Sequence, residues 1–131
     1  MRATETFFDI GRHHIHLELT VFNNGIEYSV DAILDTGAPI TEFSDQFLMF
    51  TGFIDSVKED VKIKHGLQSQ KYNQIVLPEI RICGHTLNDF NVSVSYFEES
   101  WGIDALIGLD FFRRFKVEID YSKGKIITTP V

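Results

Sequence analysis

Ala32-Ile33-Leu34-Asp35-Thr36-Gly37-Ala38 is the stretch on which the fold turns. Three apolar residues in a row read as a strand entering a core rather than lying half-exposed on it. An aspartate directly after such a run is unusual, because a buried carboxylate without a partner is costly. Thr36-Gly37 suggests the compensation. Glycine permits a sharp turn that brings an amide N–H to the carboxylate, and threonine supplies a hydroxyl for a fixed hydrogen bond. Ala105-Leu106-Ile107-Gly108 is a second buried run that ends in glycine. The bland alternative for Asp35 is an ordinary turn residue, since Asp-Gly-type turns are common.

Upstream, His14-Ile15-His16-Leu17-Glu18-Leu19-Thr20-Val21 alternates polar with apolar residues, as a half-buried strand does. Asn23-Asn24-Gly25 follows, and Asn-Gly suits the positive-φ positions of a tight hairpin turn. The return strand, Ile26 to Leu34, delivers the chain to Asp35. Downstream, Ser44 to Phe50 predicts a short helix capped by Ser44 and ending near Gly52. Val57 to Lys64 alternates again, and Gly66 opens a polar stretch through Asn73, which predicts a second hairpin with an exposed tip. Ile75 to Cys83 and Leu87 to Tyr96 pair around Gly84-His85. After the second buried run, Asp110 is expected to cap a short helix, Phe111 to Phe115. Lys116 to Tyr121 and Lys125 to Thr128 form a last hairpin around Ser122-Lys123-Gly124. Together these elements describe an all-β domain with one or two short helices.

A chain of 131 residues is one domain's worth, here 1–131, long enough for a modest core but too short for two full lobes. Its apolar fraction of 44% is that of a globular protein, not of a disordered one. With a net charge of −7 and its basic residues scattered, it is not expected to bind nucleic acid or an anionic membrane surface. Met1 to Thr6 lacks the apolar run of a signal peptide, and no segment approaches a membrane span. Cys83 stands alone, so no intrachain disulfide forms and a cytoplasmic setting is expected.

The two buried runs together resemble the retropepsin-like aspartic proteases, the retroviral-type branch with a single domain per chain. Ala32 to Ala38 looks like the apolar-apolar-Asp-Thr-Gly signature of that family. Leu106-Ile107-Gly108, followed by Asp110-Phe111-Phe112, looks like its second element, an apolar-apolar-Gly before a short helix. The resemblance covers roughly Leu17 to Thr128. It implies the acid protease fold, a closed β-barrel or sandwich acting as a homodimer, with one Asp-Thr-Gly from each chain at the two-fold axis. Asp35 and its mate would then be the catalytic dyad, Thr36 would brace the two loops across the axis, and Gly37 would approach the substrate backbone. Gly108 would let the C-terminal segment pass behind the loop. Ala38, Ile107 and Gly108 fall at substrate-binding positions. Lys64, His65, Gly66 and Leu67 fall in a flap, Lys64 to Lys71, that closes over bound peptide.

In such a dyad the two carboxyl groups share one proton, because both cannot ionise comfortably at hydrogen-bonding distance. The ionised member takes a proton from the attacking water and the protonated member polarises the scissile carbonyl. No metal or cofactor is implied; the partners are a peptide or protein substrate and a second copy of the chain. Viral members usually carry Asp where this chain has Pro39 and Arg where it has Leu109, and both charges of that ion pair are missing here. Leu109-Asp110-Phe111 looks more like the non-viral members, which often lack the pair. The alternative is a catalytically idle dimer that binds peptides or a partner protein. Pro39 and the single glycine of the flap favour it, while the intact Asp35-Thr36-Gly37 opposes it. A third reading confines activity to a larger precursor.

Other chemistry-bearing residues have plainer explanations. His13, His14 and His16 invite a metal reading, but zinc needs three or four ligands and no Cys/His cluster accompanies them, so a solvated strand face is expected. His65 and His85 read as surface residues, and Glu98-Glu99 as a solvated loop. Nothing near Cys83 lowers its pKa, so it reads as a packed residue rather than a nucleophile. Phe111, Phe112 and Phe115 read as core and interface. Trp101 borders the substrate groove or is a packed tryptophan.

Overall fold

Leu17, Leu19 and Val21 point inward from β2 (His16–Asn23) and are at most 2% exposed, so the alternation read along this strand is a buried face against a wet one. Its partner β3 (Ile26–Leu34) returns antiparallel, with His16 opposite Ile33 and Asn23 opposite Ile26. Asn24 and Gly25 make the turn at φ 53° and 78°, values that Asn and Gly tolerate and that match the twist of the two strands. The described residues of this computed structural model are 2–54 and 74–131. The hairpin expected over 57–73 and the flap positions Lys64, His65, Gly66 and Leu67 lie outside them.

The two apolar runs of the sequence lie side by side. β7 (Ala105–Ile107) pairs parallel with the end of β3, Ala32 opposite Ala105, Ile33 opposite Leu106 and Leu34 opposite Ile107. β4 (Glu42–Ser44) pairs antiparallel with β7 and parallel with β6 (His85–Ser95). β5 (Gln74–Ile82) joins β6 through a tight turn at Cys83-Gly84 and then meets β2, closing a barrel in the order β2-β3-β7-β4-β6-β5. The core fills the barrel with Val30, Phe43, Leu77, Ile80, Val92 and Ile107, all 0% exposed. Burial of such side chains is the main force holding the strands together.

Ser44 begins α1 (Asp45–Phe50) as its side chain accepts the Phe47 amide at 3.3 Å, and the helix closes at Thr51 just before Gly52. The second short helix departs from expectation. α2 runs Leu109–Phe112, its cap is Gly108, and no side chain caps it. Asp110 sits inside the helix, with its carboxylate turned to Thr41 instead of to its own helix. Phe111, Phe112 and Phe115 are buried, with ring centroids 4.9–5.0 Å from Phe111 to the other two.

A second sheet, β1-β9-β8, packs outside the barrel. It unites the last hairpin, β8 (Phe115–Asp120) and β9 (Lys125–Pro130), with β1 (Thr4–Phe7), a strand whose Thr-Glu-Thr-Phe sequence carries no clear period. His85, expected at the surface, is 3% exposed and ties this sheet to the barrel. The Cys83 carbonyl can only accept, so the Thr4 hydroxyl donates to it at 2.6 Å. The Thr128 hydroxyl then donates to Thr4 Oγ1 at 2.7 Å, and His85 Nε2–H donates to Thr128 Oγ1 at 2.9 Å. Phe115 stacks on the imidazole at 4.4 Å, and burial holds the His85 pKa below its ordinary value. No helix among the described residues is long and apolar enough to cross a membrane.

Candidate active site

Asp35 follows the last residue of β3, where parallel β3 and β7 end together. Its amide donates to the Ile107 carbonyl at 2.9 Å, which continues the β3–β7 ladder one residue beyond the strands. The chain then reverses: the Ala38 amide donates to the Asp35 carbonyl at 3.1 Å, and the Gly37 amide donates to Asp35 Oδ1 at 3.0 Å. A β-carbon at Gly37 would lie 3.3 Å from that same Oδ1, so glycine gives the carboxylate room beside the amide. Asp35 is half-buried, while Thr36, Gly37 and Pro39 are exposed. The loop therefore presents one carboxylate, oriented by one backbone donor, on an open face.

Behind this loop the C-terminal segment crosses at very close range. A β-carbon on Gly108 would stand 2.6 Å from the Ala38 carbonyl oxygen and 3.0 Å from the carbonyl carbon and oxygen of Ile40. Only glycine fits there. The Leu109 amide donates to the Ala38 carbonyl at 2.8 Å and the Asp110 amide to the Pro39 carbonyl at 3.2 Å. Thr41, fully buried, knots the crossing together. Its Oγ1 accepts the Gly108 amide at 3.0 Å and donates to Asp110 Oδ1 at 2.7 Å, and its amide donates to Asp110 Oδ2 at 2.9 Å. The carboxylate is acceptor-only, which sets the direction of the Thr41 hydroxyl and leaves its lone pairs for Gly108.

The site positions singled out in the sequence thus fall into two groups. Asp35, Thr36, Gly37, Ala38, Ile107 and Gly108 come together at the shared end of β3 and β7. Lys64, His65, Gly66 and Leu67 lie outside the described residues. Thr41 and the orienting role of Asp110 escaped sequence reasoning, because the two residues meet only across a separation of 69 positions.

Two other carboxyl groups, Asp31 on β3 and Asp104 just before β7, lie nearby in the chain. Asp104 Oδ2 accepts the Asp31 amide at 3.0 Å, and burial pushes the Asp104 carboxyl up, an effect that this amide partly offsets. Asp31 Oδ1 is also 3.1 Å from His16 Nδ1. Asp31 precedes Asp35 by four residues of extended chain, roughly 13 Å at ordinary strand rise. Neither group is placed to pair with Asp35. His14 stands in the bend before β2 and not on the strand with His16, and His16 is held by Asp31 rather than solvated. The described residues contain no group of three or more side chains arranged to hold a metal ion.

No protein-family model matches the chain, and no curated protein does. Solved structures do. A retropepsin-like aspartic protease from Rickettsia conorii superposes with a TM-score of 0.65 at 19% identity, covering 96% of this chain and 89% of that one. The retroviral protease-like domain of Ddi1 from Leishmania major superposes with a TM-score of 0.60 at 21% identity, covering 89% of this chain and 92% of that one. The chain has the retropepsin-like fold.

Proposed function

We propose that this chain is one protomer of a homodimeric aspartic endopeptidase, with the Asp35 carboxyl group and that of a second copy forming the dyad. The observation that carries the reading is the setting of Asp35. Its carboxylate stands at the open end of two parallel strands, oriented by the Gly37 amide, and no hydrogen bond joins it to another carboxyl group among the described residues. A dyad needs two such groups within hydrogen-bonding distance, and a second copy supplies the missing one. The fold neighbours, both described as protease or protease-like, support the same reaction class.

In the dimer the two carboxyl groups share a proton. The ionised one takes a proton from a water as that water attacks the peptide carbonyl, and the protonated one donates to the carbonyl oxygen. Thr36, exposed at the loop, braces the partner loop, and Gly37, Ala38, Ile107 and Gly108 border the substrate backbone. The substrate is an extended peptide segment held by main-chain hydrogen bonds. Pro39 is exposed and offers no amide donor, which favours a second reading, a dimer that binds peptide without cleaving it.

Digestion of a complex peptide mixture from pH 4 to 7, read by mass spectrometry, separates the two. Wild type and Asp35→Asn are compared at matched high concentration, with the oligomeric state measured by sedimentation. Internal cleavages found only with wild type are expected. Equal digests from a confirmed dimer would refute the endopeptidase and leave the binding reading.

A further inference from the structure

Away from Asp35, at the opposite end of β7, the structure holds a cavity of about 400 Å³. Phe47, Tyr96 and Phe97 contribute aromatic surface to its wall, and Glu98, Glu99 and Asp104 contribute carboxyl groups. No Lys, Arg or His is among its described lining residues. Trp101 stands beside it, 54% exposed, its ring 5.5 Å from that of Phe97. The walls are firmly placed. Phe97 and Phe47 belong to the buried set, the Ser44 amide donates to the Asp104 carbonyl at 2.8 Å, and the Asp104 carboxyl group accepts the Asp31 amide.

We propose that this cavity is a peptide-binding exosite that takes an arginine or lysine side chain of an extended peptide or of an exposed protein segment. Its chemistry selects that occupant. Aromatic rings accept the methylene stem of a long cationic side chain and attract its charge, and exposed carboxylates pair with the charged head. Arginine fits best, because its planar guanidinium stacks on rings and meets a carboxylate with two parallel bonds. Anionic ligands are repelled by three carboxyl groups on a chain of net charge −7. A small metal ion is excluded by the absence of a coordinating cluster among the described residues. A purely apolar ligand would cover the Glu98 and Glu99 carboxylates without offering them a partner. The site is separate from the Asp35 loop, so its occupancy does not depend on cleavage.

Trp101 is the chain's single tryptophan, so its emission reports directly on the neighbouring cavity. The test titrates Asp35→Asn protein, which spares the peptide from hydrolysis, with two peptides of equal length. One carries arginines in a neutral sequence; the other replaces each arginine with glutamine. Calorimetry is run in parallel. Saturable binding of the arginine peptide at least tenfold tighter than the glutamine peptide is expected, weakened at least tenfold in Glu98→Gln/Glu99→Gln and reduced by salt. Both glutamates are exposed, and an unchanged denaturant midpoint confirms that the double variant folds. Equal affinity for the two peptides, insensitivity to the double substitution, or no saturable binding by either method overturns the proposal. None of these outcomes bears on whether Asp35 hydrolyses peptides.

Discussion

Gly108→Ala tests the close crossing behind the Asp35 loop with the smallest possible change. The added methyl would meet three backbone atoms, at 2.6 Å from Ala38 O and 3.0 Å from Ile40 C and O. None of them can move alone. Ala38 O accepts the Leu109 amide at 2.8 Å, and the strand end beside it is held by the Asp35 amide on Ile107 O at 2.9 Å. Relief therefore requires the two segments to separate and to lose hydrogen bonds. Overpacking of this kind costs about 1–3 kcal/mol, and each lost bond about 1 kcal/mol more. With two bonds lost the expected destabilisation is about 3–5 kcal/mol, a large share of the 5–15 kcal/mol typical of a domain. Urea unfolding followed by Trp101 emission measures it, with the slope checked to be unchanged. Gly25→Ala is the control: its β-carbon would meet nothing within 4 Å, and only the positive φ of 78° is strained, for about 1 kcal/mol. A loss below about 1 kcal/mol in Gly108→Ala would show that the crossing is not close-packed in solution.

Substitutions at Asp110 and Asp45 probe two further carboxyl groups. Asp110→Ala leaves the Thr41 amide and hydroxyl without their acceptor, for an expected loss of about 2–4 kcal/mol by urea unfolding, whereas Asp110→Asn keeps an acceptor and loses less than half of that. Asp45 is 1% exposed, neither carboxyl oxygen has a well-formed hydrogen bond among the described residues, and burial raises its pKa above 3.8, an effect that the Gln46 and Asp45 amides partly offset. A raised folded pKa means that the ionised form is disfavoured in the fold. The penalty grows as pH rises above the unfolded value and is complete above the folded one. Asp45→Asn should therefore gain about 1–3 kcal/mol near neutral pH, and the gain should vanish as pH falls towards 3.8. A gain independent of pH would exclude the carboxyl charge as its source.

Local chemistry was legible in the sequence, and long-range pairing was not. The β2–β3 hairpin could be read because its turn demands particular residues, seen in the φ values of 53° and 78° at Asn24-Gly25; the β5–β6 hairpin could be read from its glycine, though it turns at Cys83-Gly84, one residue before the Gly84-His85 expected. The runs ending at Leu34 and Ile107 could be read as buried strands, though not as parallel neighbours. β1 carries Thr-Glu-Thr-Phe and finds its partner across the whole chain, while β4 has three residues, too few for any period to show. Asp110 obeys the composition rule for a helix cap, but the Thr41 amide and hydroxyl are stronger competitors for its oxygens than a frayed helix end. His85 follows a turn glycine and looked exposed; its neighbours Thr4 and Thr128 arrive from the two ends of the chain.

The pairing of β1 with β9 places Thr4 opposite Thr128 and Phe7 opposite Lys125, so the two chain ends depart from the same end of one antiparallel ladder. A load applied between those ends acts across the ladder, along its hydrogen bonds, and not along the strands. Under tension β1 would peel away like a zipper, one bond at a time, and the Thr4 contacts with Cys83 and Thr128 would yield with it. The barrel would still be closed when they did, because its ring β2-β3-β7-β4-β6-β5 contains neither strand. Pulling on the two ends would thus strip β1 from the outer sheet while the barrel kept Asp35 in its place.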